Sequence, residues 1–155
     1  PASLATNTID AHLGYMPQTT CTPTAKPGTK ALLSLLIATW GGGSSGISRA
    51  CSVGATSEHK EGRALDWHMD MKSSSQRARV DKALAWLTAN NGEVAYRLGV
   101  MYILWNDRIW RGYDIKRGWT ELKGCFATPS EGSDTTCHRN HIHIINLDGL
   151  RRFGD

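Results

Sequence analysis

Apolar and ionisable residues alternate along two stretches of this chain. In residues 63–71 the apolar side holds Leu65, Trp67, Met69 and Met71, and the other side holds Ala64, Asp66, His68 and Asp70. Residues 141–147 repeat the pattern, with His141 and His143 on one side and Ile142 and Ile144 on the other. Side chains of a β-strand point to opposite faces in turn, so each stretch predicts a strand with one apolar face and one ionisable face.

Further elements follow from the same kind of pattern. A helix is expected from Thr29 to Trp40, apolar on most faces and ended by the glycines at 41–43. A second helix should run from the serines at 73–75 to about Asn90, with an apolar stripe, and end at Asn90-Asn91-Gly92. Residues 100–105 and 108–110 favour a hairpin around Asn106-Asp107. Together these elements predict an α+β fold, in which two main helices pack on a small antiparallel sheet.

The length of the chain, 155 residues, suits one compact domain. Residues 1–28 contain four prolines among polar residues and are expected to form an irregular N-terminal arm, which leaves 29–155 as the single domain. Residues 112–140 form a long connection rich in Gly, Ser and Thr, and such a connection is usually functional or tied down.

The four cysteines show no Cys-x-x-Cys spacing, so two disulfides are expected rather than a cysteine metal site. We favour Cys21 with Cys51 and Cys125 with Cys137, because each pair would close a loop-rich stretch. Disulfides indicate an oxidising compartment, and hence a secreted, extracellular or cell-wall location. The chain opens on a polar stretch without a signal peptide, as in a mature or trimmed protein, and its apolar run at 31–38 is too short for membrane insertion.

The formal net charge of +4 and the isoelectric point near 9.0 favour an anionic partner, which charge alone does not identify. Nucleic acid, an anionic cell wall and a membrane surface are all compatible with it. The positive residues are scattered rather than clustered, which is also typical of an ordinary solvated surface.

The ionisable residues of the two predicted strands suggest a metal site. A hydrolytic zinc ion usually has three ligands of the His, Asp or Glu type and one open position. His59 and Asp66 lie seven positions apart, and the ionisable face of the second strand adds two histidines. Any one of these histidines alone is more often structural, but their joint pattern favours zinc.

The pattern Ser57-x-His59-x-x-Gly62-x-Ala64-x-Asp66, followed by His141-x-His143, resembles the zinc D-Ala-D-Ala carboxypeptidase family of peptidoglycan peptidases. That family is grouped with lysostaphin-type peptidases and the hedgehog signalling domain. The resemblance covers roughly residues 46–147. It implies that His59, Asp66 and His143 bind Zn²⁺, that His141 faces the developing oxyanion, and that Arg49 holds substrate charge. Ser57 and Trp119 complete the candidate substrate-binding residues.

One position departs from that pattern. Many relatives carry an acidic general base three residues before the last zinc ligand, where this chain has Asn140. An amide cannot act as a base. Another group then does the work, or the domain is inactive, or an Asp→Asn substitution was introduced to trap a complex; the candidates for another base are His141, His138, Glu121, Glu131 and Asp70.

The expected function is a secreted, monomeric zinc peptidase that cleaves peptide bonds in peptidoglycan or its stem peptides. An endopeptidase is slightly preferred to a D-Ala-D-Ala carboxypeptidase, because Trp105, Trp110 and Trp119 would suit an open groove for a polymer. The alternative is a catalytically impaired, zinc-stabilised wall-binding or signalling domain. A metal-dependent nuclease, and with it a nucleic-acid partner, is disfavoured because such sites usually need more carboxylates around a hard cation.

Overall fold

The computed structural model describes residues 14–125 and 132–146, which form an α+β fold with three helices and a six-stranded antiparallel sheet. The helices are α1 (Pro27–Trp40), α2 (Ser74–Leu87) and α3 (Ala89–Arg97). The strands are β1 (Gly43–Gly46), β2 (Ala64–His68), β3 (Val100–Trp105), β4 (Arg108–Arg111), β5 (Thr120–Glu121) and β6 (Ile142–Asn146). Short 3₁₀ turns cover Glu58–Glu61 and Ile115–Arg117. None of the helices in this part of the chain has the length and apolarity needed to cross a membrane.

The sheet order is β1-β2-β6-β3-β4-β5, so the two strands with alternating sequences are neighbours at its centre. Asp66 on β2 lies opposite His143 on β6, and His143 lies opposite Leu104 on β3. This register confirms that the ionisable faces of β2 and β6 converge. The opposite face is the apolar one, with Leu65, Trp67, Ile103, Ile142 and Ile144 all buried in the main core.

Helices α1 and α2 cover the apolar face of the sheet. Leu32 and Leu36 of α1 are buried in the same core as Val80 and Leu87 of α2. The apolar composition of helix α1 predicted burial on most of its faces, but Leu35 is 42% exposed. One face of the helix is enough to cover its part of the sheet.

Asn90, Asn91 and Gly92 all adopt left-handed backbone conformations, with φ of 53°, 56° and 79°. They interrupt the helical backbone where the sequence predicted an end. Helical structure then resumes to Arg97, so the predicted second helix is followed by a third that the sequence analysis did not anticipate.

The predicted β3–β4 hairpin is present, and Asn106 and Asp107 form its two-residue turn with φ of 50° and 66°. Two positive φ angles are the signature of the tight hairpin turn that matches strand twist, and Asn and Asp tolerate them well. The backbone N–H groups of Asn106 and Asp107 donate to the carbonyls of His138 and Cys137. The hairpin tip therefore holds the segment that leads into β6.

Both predicted disulfides form, Cys21 with Cys51 and Cys125 with Cys137. They are compatible with an extracellular protein.

Residues 14–26 of the predicted arm contain no helix or strand and lie along the 3₁₀ turn at 58–61, where the N–H of Thr22 donates to the carbonyl of Lys60. Residues 1–13 and Glu131 lie outside the described residues.

Candidate metal centre and its cavity

The 3₁₀ turn at 58–61 brings His59 to the ionisable face of the sheet. The Ser57 hydroxyl caps this turn by accepting from the backbone N–H of His59 at 3.4 Å, and Gly62 ends it in a left-handed conformation. The His59 ring is buried, and its Nδ1 lies 2.8 Å from the carbonyl oxygen of Ile47. A carbonyl can only accept, so Nδ1 carries the proton and Nε2 presents its lone pair toward the sheet.

Nitrogen and oxygen atoms of His59, Asp66 and His143 converge on one point. The Nε2 atom of His59 lies 3.3 Å from Oδ2 of Asp66, and Nδ1 of His143 lies 2.8 Å from Oδ1 of the same carboxylate. One ligand atom from each residue can be chosen so that all lie within 4.8 Å of one another. Ligands placed 2.0–2.1 Å from a tetrahedral zinc ion are about 3.3 Å apart, so the three residues fit such an ion.

The second ring nitrogen of His59 strengthens that fit. Metal-binding histidines commonly donate their other N–H to a carbonyl or carboxylate, which fixes the tautomer and the ring orientation. The bond to Ile47 has this form. Among the described residues, Asp107, Cys125 and Cys137 also cluster, but the two sulfur atoms are joined in a disulfide and are not free to bind metal.

Asp66 is the central charge of the cluster. Burial would raise the pKa of its carboxyl, but the neighbouring His143 and His59 imidazoles outweigh that effect and hold the pKa far below its ordinary value. Asp66 is therefore an anion at any physiological pH. An anionic carboxylate beside imidazoles that each offer a nitrogen lone pair is a strong attractor for a divalent cation.

His141 lies beside this cluster and is held by Asn140. The Asn140 amide nitrogen donates to the Thr135 hydroxyl at 3.2 Å, and its amide oxygen lies 2.7 Å from Nδ1 of His141. That oxygen can only accept, so Nδ1 of His141 carries the proton. Its Nε2 then has the lone pair and lies 3.7 Å from the Asp66 carboxylate. Burial lowers the pKa of His141, which favours the neutral ring.

His138 forms a second imidazole contact in the same region. Its ring centroid lies 4.8 Å from that of His141 and 5.5 Å from that of His143. Burial, followed by the charges of His143 and His141, lowers the pKa of His138 to about 3, so this ring is neutral. Its buried Nδ1 has no hydrogen-bond partner.

The segment that carries His138 and Asn140 is fixed by several contacts. Arg139 is buried and pairs with Asp107 at 2.8 Å and with Asp134 at 3.4 Å. The carbonyl of Arg139 accepts from the N–H of Met71. Together with the Cys125–Cys137 disulfide, these contacts place the side chains at 138–141 over the sheet.

A cavity of about 660 Å³ opens over the cluster. Residues of β1, the 3₁₀ turn and the segment before it, β2, β3, and β6 with the segment leading into it line the cavity. All the sequence-predicted site residues except Trp119 line the cavity; they are Arg49, Ser57, His59, Asp66, Asn140, His141 and His143.

Several other predicted participants lie elsewhere. Glu121 and Asp70 are exposed and do not line the cavity, which leaves His141 and His138 as the described candidates for a base. Trp105 and Trp110 are 5% and 4% exposed, so their expected place in an open groove is wrong; their rings complete the core. Trp119 is half-buried and packs against that core outside the cavity, and its substrate-binding role stays a prediction.

Among the cavity residues that the sequence analysis did not single out are Glu58 and Tyr102. Glu58 occupies a variable position of the Ser57-x-His59 pattern, so the sequence analysis predicted roles for Ser57 and His59 but not for Glu58. Its place directly before a predicted metal ligand was the signal that could have found it. Tyr102 required the register of β3 against β6, which the sequence did not supply.

Comparison with known proteins gives one family. The model of the family described as "VldE, C-terminal domain" matches residues 21–139, which is more than half of the chain. The matched stretch includes His59 and Asp66 and ends one residue before Asn140. No curated protein and no solved structure gives a significant match. The chain therefore belongs to the VldE C-terminal domain family.

Proposed function

We propose that this protein is a zinc-dependent peptidase that cleaves peptide bonds of bacterial cell-wall peptidoglycan. The observation that carries the proposal is the convergence of His59, Asp66 and His143 on one point at the floor of a cavity. Two imidazoles and one carboxylate are a typical zinc ligand set for hydrolysis. The sequence resemblance to zinc D-Ala-D-Ala carboxypeptidases supports the choice of substrate class.

In this proposal Nε2 of His59, the Asp66 carboxylate and Nδ1 of His143 hold the ion. Bound zinc would supply a Lewis acid that activates water and polarises a carbonyl group. The hydrogen bond from His59 to Ile47 keeps the donor nitrogen of that ligand aimed at the site. Charge balance agrees with this arrangement, since the ligand set brings one negative charge to a divalent cation.

His141 would handle the proton in place of the missing acid. Asn140 holds the ring with its Nδ1 proton directed away, so Nε2 is left to accept a proton or a hydrogen bond on the side of the ligands. Arg49 is exposed at the rim of the same cavity and, among the described residues, makes no ion pair. Its guanidinium is therefore available for a substrate carboxylate.

The test is product analysis. Zinc-loaded protein is incubated with purified cell walls, and mass spectrometry looks for new free amino groups, which indicate an endopeptidase, or for released D-Ala, which indicates a carboxypeptidase. His143→Ala should abolish both products. His68→Ala is the matched control, because it removes an exposed imidazole of the same cavity that is not among the proposed ligands. The absence of both products, with no effect of a chelator, would refute the proposal.

A second candidate is a zinc-stabilised wall-binding or signalling domain without turnover. It is favoured by Asn140, whose amide is hydrogen-bonded to Thr135 and His141 and cannot take up a proton. In that case the unaltered chain binds zinc and wall fragments without cleaving them, and Asn140→Asp creates or strongly increases cleavage. Cleavage by the unaltered chain would exclude this candidate.

A further inference from the structure

We propose that Glu58 and Tyr102 form a subsite for a primary ammonium group of the substrate, an inference that rests on the peptidase function proposed above. Glu58 lines the cavity but is only 6% exposed. The Tyr102 hydroxyl donates to its carboxylate at 3.4 Å. The two residues thus place one anionic group at the cavity wall.

Glu58 lacks the cation that a buried carboxylate normally requires. Across residues 14–125 and 132–146, no ion pair joins Glu58 to a lysine, arginine or histidine. The nearest basic residues along the chain are committed elsewhere: Arg63 pairs with Glu61, and the Lys60 ammonium donates to the Gly54 carbonyl. A buried, unpaired carboxylate is costly, and that cost is recovered when a cation binds.

The position of this carboxylate relative to the ligands suits a substrate that spans the cavity. Tyr102 lies opposite Ile145, which is two residues beyond His143 on the same strand face. Its ring centroid is 6.3 Å from that of His143. Asn140 and His141 lie toward the other end of this face. An ammonium group at Glu58 would therefore lie about one strand repeat, about 7 Å, from the ligand row, which is the spacing of every second residue in an extended bound peptide.

The surroundings select an ammonium group over a second metal ion. One carboxylate and one phenol are too few ligands for a metal ion. Aromatic rings, however, attract organic cations through their faces. The aromatic ring that lines the cavity beside Glu58 is that of Tyr102; the Tyr15 ring, 6.3 Å from it, lies outside this cavity.

Calorimetric titration with three synthetic peptides tests the subsite. The peptide L-Ala-γ-D-Glu-L-Lys-D-Ala-D-Ala is prepared with both amines acetylated, with only its α-amine free, and with only its lysine side-chain amine free. We expect the unaltered chain to bind one free-amine peptide about tenfold or more tightly than the fully blocked peptide, since a charge-assisted hydrogen bond is worth about 1.5–3 kcal/mol. The two free-amine arms identify which amine is recognised.

Glu58→Gln should bind all three peptides equally, and Glu58→Asp should keep part of the preference because it keeps the charge. Glu93→Gln, an exposed glutamate on α3, is the control and should keep the full preference. Equal binding of all peptides by the unaltered chain, or an undiminished preference in a folded Glu58→Gln variant, overturns the subsite. If the unaltered chain prefers a free amine yet releases neither product from purified cell walls, the subsite stands and the peptidase proposal fails.

Discussion

Gly62→Ala tests how the chain holds His59 in place. Gly62 ends the 3₁₀ turn that carries His59, with φ of 69°. A Cβ atom at this position would lie 1.9 Å from the carbonyl oxygen of Thr24 and 2.5 Å from its carbonyl carbon. Both contacts are with backbone, so the arm itself must move. We expect this substitution to destabilise the protein and to weaken zinc binding together.

The magnitude follows from two contributions. Holding an alanine in the left-handed region costs roughly 1–2 kcal/mol. Moving the arm also breaks the two backbone hydrogen bonds that fix it, from Thr22 to Lys60 and from Lys26 to Gly62, each 2.8 Å long. At about 1 kcal/mol per bond, they add about 2 kcal/mol. The free energy of unfolding should therefore fall by about 3–4 kcal/mol.

Gly54→Ala is the matched control. Gly54 has a similar φ of 64°, but a Cβ there would meet nothing within 4 Å. It should cost only the roughly 1–2 kcal/mol of the backbone conformation. The difference of about 2 kcal/mol corresponds to about 4–8 °C in melting temperature for a protein of this size. Because His59 moves with its turn, zinc affinity should fall about tenfold in Gly62→Ala and stay unchanged in Gly54→Ala.

The assay is thermal unfolding followed by circular dichroism, with zinc affinity measured on the same samples by competition with a chelating dye. Equal melting temperatures for the two variants would refute the close approach of the arm to Gly62. A large loss of stability in Gly62→Ala without a loss of zinc affinity would refute the coupling of the arm to His59.

Three further predictions follow from the fold. Zinc at a hundredfold excess over its dissociation constant should stabilise the protein by about 2.7 kcal/mol and raise its melting temperature by about 5–11 °C. In a thermal-shift assay Asp66→Asn should remove most of that rise. An undiminished rise in this variant would contradict the ligand assignment. Replacing Cys125 and Cys137 by serine should lower the free energy of unfolding in urea by about 3 kcal/mol, and an unchanged value would contradict the loop-closure argument. Asn106→Ala should cost roughly 1 kcal/mol because of its positive φ, whereas Asn106→Gly should be nearly neutral, and equal melting temperatures for the two variants would contradict the turn assignment.

The centre of the fold could be predicted from the sequence because local and tertiary requirements agree there. Strands β2 and β6 each present one apolar face to the core, and alternation at every second residue then fixes which side chains share a face. The same alternation brought Asp66 and His143 together in the prediction. Both disulfide pairings were also predicted, although the Cys21–Cys51 loop encloses α1 and β1 as well as irregular chain.

The two edge strands of the sheet could not be predicted, because they are strands only through their hydrogen bonds to a neighbouring strand. Strand β1 has the sequence Gly-Ser-Ser-Gly, which carries no apolar alternation, and it is a strand only because it pairs with β2. Strand β5 covers two residues and exists by pairing with β4. The prediction that Trp105 and Trp110 line a groove was wrong for a related reason. An amphipathic ring suits either a groove or a core, and only the strand register determines which of the two the side chain enters.

The role of Asn140 also depends on geometry that the sequence does not contain. In the sequence resemblance it stands where many relatives carry an acid, and this suggests a lost base. In the fold its oxygen accepts from His141 Nδ1 while its nitrogen donates to Thr135, a pair of contacts that an acid could not make in its ionised form. The amide thus fixes one tautomer of His141 and adds no negative charge beside Asp66. Losing an acid at position 140 therefore does not by itself mean losing the proton acceptor, since the acceptor can be the neighbouring imidazole.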